Sequence, residues 1–525
     1  MHSDHRYDTV IAGAGHNGLI AACYLALAGQ RVLILEKNDA VGGATCSKHI
    51  FPGVDARVSV YSYLVSLLPA KIITDLGIRF ETRQRRIASY TPVEQNGRMS
   101  GLLVSNQDEE VTRQSFAALT GSDREYRRYA ALQEKLARFA RQVWPTLLSP
   151  LPSKAELRAR FQTAEDRRTW DYLVEKPLAA LIEDHLNDDT VRGVVFTDAK
   201  IGVLTHPDDP SLLQNRTFLY HIVGQGTGEW RVPVSGMGAL IDALTARARG
   251  LGVEIRTSAE VRAVEPGSPL HTVHYANAGV DQAVRARYVL FNTASNIANQ
   301  ILPGACQEEQ VEGSVFKINM VLRRLPELRG SQVSPQDAFS GTFHLYEGYQ
   351  EMKDSYHNAL AGRLPEPIPG EMYCHSLTDP SILAPALQEK GFHTLTLFGL
   401  DLPYTLFGSE NAARRAEITA RYLQAIDHFI DGSIADCLAL DADGNPCLEA
   451  KTPLDLENAL GLPKGNIFHG NLTWPFAETN EQAGTWGVET AFENVLICGS
   501  SAKRGGAVSG IPGHNAAMKV LGQKG

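Results

Sequence analysis

The segment from Tyr7 to Glu36 constrains this chain more than any other. An apolar run, Tyr7 to Ala12, meets the turn Gly13-Ala14-Gly15-His16-Asn17-Gly18. An apolar helix is predicted from about Asn17 to Ala28 and stops at Gly29. A second apolar run, Arg31 to Leu35, ends at Glu36. Continuously apolar strands suit a parallel sheet covered on both faces, and strand–helix–strand order builds such a sheet. Gly13 permits the tight turn, Gly15 lets the main chain approach a pyrophosphate, and Gly18 lets helix and strand pack closely. The helix N-terminus then offers free N–H groups and the positive end of its dipole to phosphates. Glu36 follows Gly18 by 18 residues and suits the hydroxyls of a ribose. The same carboxylate would repel a 2′-phosphate, which disfavours NADP. The alternative is an incidental glycine-rich turn, and the flanking strand and helix argue against it.

The 525 residues exceed what one core supports, so two or more domains are expected. Hydrophobic residues make up 43% and charged residues 21%, a globular balance. A formal net charge of −9 argues against a nucleic-acid partner. The seven cysteines are widely spaced with no CxxC pair. This composition disfavours a disulfide scaffold, a zinc ribbon and a redox dithiol, and is read as reduced thiols of a cytoplasmic protein. The polar N-terminus lacks a signal-peptide core, and no window offers the roughly 20 apolar residues of a membrane span. A peripheral membrane contact stays open.

Farther along, an amphipathic helix is expected from about Asp123 to Leu148, with Tyr126, Ala130, Leu136, Phe139, Ala140 and Val143 on one face. Helical character continues to about Asp188. A helix at Gly236–Gly250 precedes short strands at Val253–Arg256, Val261–Val264, Leu270–Tyr275, Ala283–Ala286 and Tyr288–Phe291. A strand at Phe392–Gly399 and a helix at about Asn411–Ile430 follow. The chain ends on the strand Asn494–Cys498, a glycine-rich loop and a helix to about Leu521. A second glycine cluster, Gly224-Gln225-Gly226-Thr227-Gly228, leads into Glu229-Trp230-Arg231-Val232-Pro233 and not into a helix, so it is read as a loop. Without a second nucleotide domain, the redox partner must be the substrate, oxygen or a quinone-type acceptor.

The doublet Gly42-Gly43 after Glu36 resembles the pattern of FAD-binding two-dinucleotide-binding-domain proteins. Trp230-Arg231-Val232-Pro233-Val234-Ser235-Gly236-Met237-Gly238-Ala239-Leu240 resembles a segment of the phytoene desaturase-like flavoproteins. Phe51-Pro52-Gly53 and Ser62 to Pro69 are similar to the subgroup named as pyridine nucleotide-disulfide oxidoreductase domain-containing, which includes relatives of retinol saturase and carotenoid isomerase. The resemblance extends to Gly252–Val261 and to Gly499–Ala517. It implies a fold of class α/β, with a discontinuous Rossmann-type FAD-binding domain and an inserted α+β substrate domain. The FAD-binding domain is expected at 1–75, 225–300 and 455–525, and the substrate domain, with its helical insertion, at 76–224 and 301–454. It also implies FAD contacts from Gly13, Ala14, Gly15, Asn17, Gly18, Glu36, Lys37, Gly42, Gly43, Ala44, Val261, Gly499, Ser500, Gly505, Ser509, Gly510 and Ile511.

The implied activity is an FAD-dependent oxidoreductase taking a hydride from an organic substrate, reoxidised by oxygen or a quinone-type acceptor. A redox-neutral flavin-dependent isomerase and a non-catalytic escort of the GDP-dissociation-inhibitor type are the alternatives. Candidates for a polar role in catalysis are Tyr61, Tyr63, His221, His344, Lys503, Arg504 and His514, each with a purely structural role as the alternative. Lys503 and Arg504 stand where such proteins often carry His-Pro, and His514 where they often carry Arg. Two cations beside a flavin would favour a small-molecule substrate with a polar or carboxylate group. No HExxH or other metal-ligand spacing occurs, and no metal is expected.

Overall fold

A computed structural model of the chain describes residues 6–95, 97–307 and 311–522; the polar leader at residues 1–5 lies outside them. The strand Arg6–Ala12 pairs in parallel with Val32–Leu35 on one side and with Val280–Phe291 on the other. The helix His16–Leu27 joins the first two strands. Among the described residues this sheet has seven strands. Glu254–Arg256 extends it beside Val32–Leu35, and Val495–Ile497 joins in parallel at the end of Val280–Phe291. The antiparallel strands Ala259–Glu265 and His271–Asn277 complete it. The runs expected at Ala283–Ala286 and Tyr288–Phe291 are one strand of 12 residues, Val280–Phe291. Its first half pairs with an antiparallel neighbour and its second half lies inside the parallel sheet, so its exposure changes along its length. That change made one strand read as two.

A second sheet, of seven strands among the described residues, runs in the order Leu448–Lys451, Phe316–Leu322, His393–Gly399, Gly370–Tyr373, Thr342–Leu345, Ile87–Gln95 and Arg98–Ser105. All of its pairings are antiparallel except that of Thr342–Leu345 with Ile87–Gln95. The chain between the hairpin Ile87–Ser105 and the strand Arg231–Pro233 is helical. Its longest member, Arg124–Val143, buries Tyr126, Leu132, Leu136, Phe139, Ala140 and Val143, and Trp144–Thr146 adds one tighter turn. Phe139, Phe161, Trp170 and Phe476 form the aromatic centre of this helical part. Gly224–Gly226 is a short turn leading to the strand Arg231–Pro233, and no helix follows it directly.

One buried ion pair ties the helical part to the second sheet. Lys200 Nζ lies 2.7 Å from Asp401 Oδ1, and both side chains are fully buried. The ammonium also donates to Thr205 O at 2.9 Å, and Ser355 Oγ donates to Asp401 Oδ2 at 2.7 Å. Removing one partner strands the other's charge in a medium that solvates it poorly. Lys200→Met is therefore expected to cost about 3–5 kcal/mol of stability, read from the shift in the denaturant midpoint.

Candidate functional site

The glycine turn is clamped from two sides. Asn292, just past the strand Val280–Phe291, donates its backbone N–H to Ala12 O at 2.9 Å and its Nδ2 to Gly13 O at 3.2 Å. On the other side, Ala14 N donates to Glu36 Oε2 at 2.7 Å, and Gly42 N donates to Ala14 O at 2.9 Å. Glu36 is buried, and its other oxygen accepts from Asn38 N at 3.0 Å. The turn tolerates no side chain at Gly18, where a Cβ would stand 2.6 Å from Gly13 O and 2.9 Å from Asn292 Nδ2. Gly13, at φ +101°, takes a conformation that other residues avoid.

The C-terminal limb closes on the same place. Cys498 N and Gly499 N both donate to Phe291 O, at 2.8 and 3.2 Å. A Cβ on Gly505 would collide with Ser500 O, so the loop folds on itself there. Ser509 Oγ accepts from Ile511 N at 3.3 Å at the entrance to the helix Ile511–Leu521. A Cβ on Gly513 would run into Asn17 O, so the starts of the first and last helices touch. Two helix N-termini, with their unpaired N–H groups, thus converge. Beside them lie the unpartnered buried atoms His16 Nε2, Asn17 Oδ1 and His469 Nδ1. Burial pushes the His16 imidazole down to about 3 and that of His469 to about 4, so both are neutral at pH 7. A tight glycine cradle, an anion-attracting pair of helix ends and spare polar atoms suit a dinucleotide.

A cavity of about 960 Å³ opens from this point into the space between the second sheet and the helical part. His16, Ala44, Thr45, Ser500 and Gly506 line its near end. Farther in, its wall carries Tyr61, Tyr63, Lys317 and Tyr373, then Arg85, Asp198, His344 and Glu371. Lys317 is 2% exposed and sits within the strand Phe316–Leu322. Its ammonium nitrogen bonds to the carbonyls of Ser59, at 3.1 Å, and Tyr61, and lies 4.7 Å from the centre of the Tyr63 ring. Burial pushes the Lys317 amine down to about 7, against the pull of Glu449. Tyr61 is pushed up to about 12, by burial first and then by Cys46 and Glu449, so it stays protonated. Asp198 is raised to about 7 by burial, with Arg85 pulling it back.

A family model described as flavin containing amine oxidoreductase matches residues 18–324. The chain belongs to this family. An uncharacterized protein of Mycobacterium tuberculosis is 44% identical over 99% of this chain and 97% of its own length. Pyridine nucleotide-disulfide oxidoreductase domain-containing protein 2 of Mus musculus is 28% identical, over 98% of this chain and 93% of its own. In fold, the chain resembles cyclohexylamine oxidase from Brevibacterium oxydans, with a TM-score of 0.57 at 15% identity over 98% of this chain and 99% of that one. The flavoprotein resemblance drawn from the sequence is borne out, and the cofactor of this oxidoreductase is FAD. The family's chemistry sets aside the non-catalytic escort reading. No helix among the described residues is long and apolar enough to cross a membrane.

Within this family frame, the expected flavin-site residues separate into groups. Gly13, Ala14, Gly15, Asn17, Gly18, Glu36, Gly42, Gly43 and Gly499 meet at the clamped turn, and Gly510 and Ile511 reach it through the last helix. Ala44 and Ser500 line the cavity, while Gly505 shapes the loop after Ser500. Val261 lies at a bulge in the strand Ala259–Glu265, whose first residue donates to Glu36 O at 2.8 Å. Lys37 is exposed, its ammonium near Gly461.

Among the catalytic candidates, Tyr61, Tyr63, His221 and His344 line the cavity, whereas Lys503, Arg504 and His514 do not. Arg504 corrects the expectation of cations beside the flavin. Its guanidinium is fully buried and donates to the carbonyls of Thr146, Ser149 and Trp486, at 2.9, 2.6 and 3.1 Å. It ties its own loop to two other stretches of chain, Thr146–Ser149 and Trp486. Lys503 pairs with Glu478 at 2.5 Å. His514 is buried edge-on to Tyr24 and bonds Asn515 Oδ1 at 2.9 Å. Both cations of this loop are thus taken up by the protein's own carbonyls and carboxylate, not by a substrate carboxylate. Sequence reasoning missed Lys317, although a lysine inside the apolar run Phe316–Leu322 is a signal in itself.

Glu36→Ala removes a charged acceptor from the turn. It is expected to weaken FAD binding about ten- to a hundredfold, measured by fluorescence titration of the apoprotein.

Proposed function

We propose that this chain oxidises a small or medium-sized organic substrate with a neutral or cationic polar group, removing a hydride from carbon while Lys317 takes a proton. The observation that carries this reading is the buried Lys317 amine on the wall of the large cavity. Segments 1–75, 225–300 and 455–525 serve as the FAD-binding domain, and 76–224 and 301–454 as the substrate domain. Gly13–Gly18, Glu36, Gly42, Gly43 and the limb Gly499–Ile511 hold FAD. When bound, FAD supplies a hydride acceptor at N5 that oxygen or a quinone-type acceptor can recharge.

The cavity wall does the rest. Leu64, Leu67, Val195, Phe218 and Phe398 exclude water and take the apolar body of the substrate. The wall carries Asp198, Glu371, Asp108, Glu109, Glu134 and Glu229 against Arg85 and Lys317, so a carboxylate would meet repulsion. A substrate N–H or O–H beside Lys317 Nζ would pass its proton to the free amine as its carbon loses hydride. The protonated amine then rests against the carbonyls of Ser59 and Tyr61. The description of the family as amine oxidoreductases accords with this polarity.

The test is anaerobic bleaching of the flavin by amines and alcohols of graded size. An oxidised substrate appearing in step with bleaching supports the reading. Conversion of substrate with no net bleaching would point to the isomerase instead.

Three outcomes are expected. Below about pH 7 Lys317 is protonated and cannot accept a proton, so flavin reduction should accelerate as pH rises through 7. In Lys317→Met that rise should vanish, and the rate should fall about 10²–10⁴-fold by stopped-flow absorbance. NADPH alone should not bleach the flavin at a catalytic rate, because Gly224–Gly226 opens no helix to hold a second dinucleotide.

A further inference from the structure

At the far end of the cavity, two neighbouring strands place a ligand set that the sequence does not announce. In the antiparallel pair Thr342–Leu345 and Gly370–Tyr373, His344 stands directly opposite Glu371. Just beyond the first strand, Tyr346 takes φ +51° and turns the chain, bringing Glu347 back toward the pair. One donor atom from each of His344, Glu347 and Glu371 lies within 4.8 Å of the others, and all three residues are buried.

Neither carboxylate oxygen of Glu347 has a hydrogen-bond partner, although the residue is only 1% exposed. The hydroxyl of Thr197, which could have served it, donates to Glu371 Oε1 at 2.9 Å. His344 Nε2 lies 3.8 Å from Glu347 Oε2, too far for a hydrogen bond. One donor atom of each of the three residues thus faces the other two.

We propose that His344, Glu347 and Glu371 bind one divalent first-row metal ion of the Mn²⁺, Fe²⁺ or Zn²⁺ class. One imidazole and two carboxylates are ordinary ligands for such ions. Ligands on opposite sides of such an ion lie about 4.2 Å apart at bond lengths of about 2.1 Å, so small side-chain rotations close the set. The outer contacts are in place. Thr91 Oγ1 lies 2.6 Å from His344 Nδ1 and can accept its proton, leaving the Nε2 lone pair free for the ion. Tyr373 and Thr197 donate to Glu371, one to each oxygen, and leave each a further lone pair.

The surrounding charge fits as well. Asp198 and Arg85 both act on this group, so three carboxyl groups face one guanidinium. Lys200 is committed to Asp401 at 2.7 Å, and Glu351 caps its own helix through Gly348 N at 2.9 Å. Tyr63, Tyr373 and His221 add no charge. An organic ammonium fits less well than an ion. His344 and Glu371 line the cavity while Glu347, 1% exposed, does not, so a ligand held by all three must be small. The proposal does not depend on which substrate the flavin oxidises.

The test uses the FAD-loaded protein, stripped with a chelator and titrated with Mn²⁺ while the free-ion EPR signal is followed. One ion should bind per chain, and pulsed EPR should show coupling to one imidazole nitrogen. Glu347→Gln should weaken binding at least tenfold, and His344→Gln should abolish the nitrogen coupling. The flavin spectrum of each variant reports whether it has folded. If neither Mn²⁺ nor Zn²⁺ binds the wild-type protein stoichiometrically, or if bound Mn²⁺ shows no imidazole coupling, the proposal is overturned without reference to any variant. Wild-type affinity in a folded Glu347→Gln would overturn it equally.

Discussion

The hydrogen bond from Ala14 N to Glu36 is the constraint on which the rest of the structure depends. With Gly42 N donating back to Ala14 O, it holds the first turn against the end of the second strand. The partner clamp, Asn292, comes from more than 250 residues away in sequence and fixes the same turn from the other side. The turn is therefore not a local motif but the meeting point of three parallel strands. A side chain at Gly18 would break the clamp between Asn292 and Gly13. Because the last strand and last helix also dock here, the chain must finish folding before its cofactor cradle is complete.

From that fixed point the cavity inherits its layout. The clamped turn and the C-terminal limb make its near end, and the second sheet and the helical part make its walls. Two cationic side chains are buried, one in the cavity wall and one outside it. Lys317 pays for its burial with a lowered proton affinity, which leaves it a usable base near neutral pH. Arg504 stays charged by gathering three carbonyls, and that commitment keeps it out of the chemistry. The same residue type of charge thus serves as reagent in one place and as brace in another, according to what surrounds it.

The nucleotide-binding half was legible because its signals are local. Spacing of glycines, a helix start and an acidic strand end all fall within Tyr7–Glu36. The amphipathic helix Arg124–Val143 was likewise written in its own periodicity. The cavity was not legible, because its polar groups come from strands paired across long separations. His344 and Glu371 become neighbours only through register, and Asp198 and Arg85 only through packing of the helical part on the second sheet. Lys503 and Arg504 misled for the same reason. Their position in a loop near the flavin segment was visible, but the carbonyls and the carboxylate that take them up were not.

Electron density for FAD in crystals of the loaded protein tests the central claim most directly. The account predicts the pyrophosphate over the turn Gly13–Gly18, the ribose beside Glu36, and the ring system at the end of the cavity that Lys317 reaches. A ring system lying outside that cavity, or a pyrophosphate away from the turn, would contradict it.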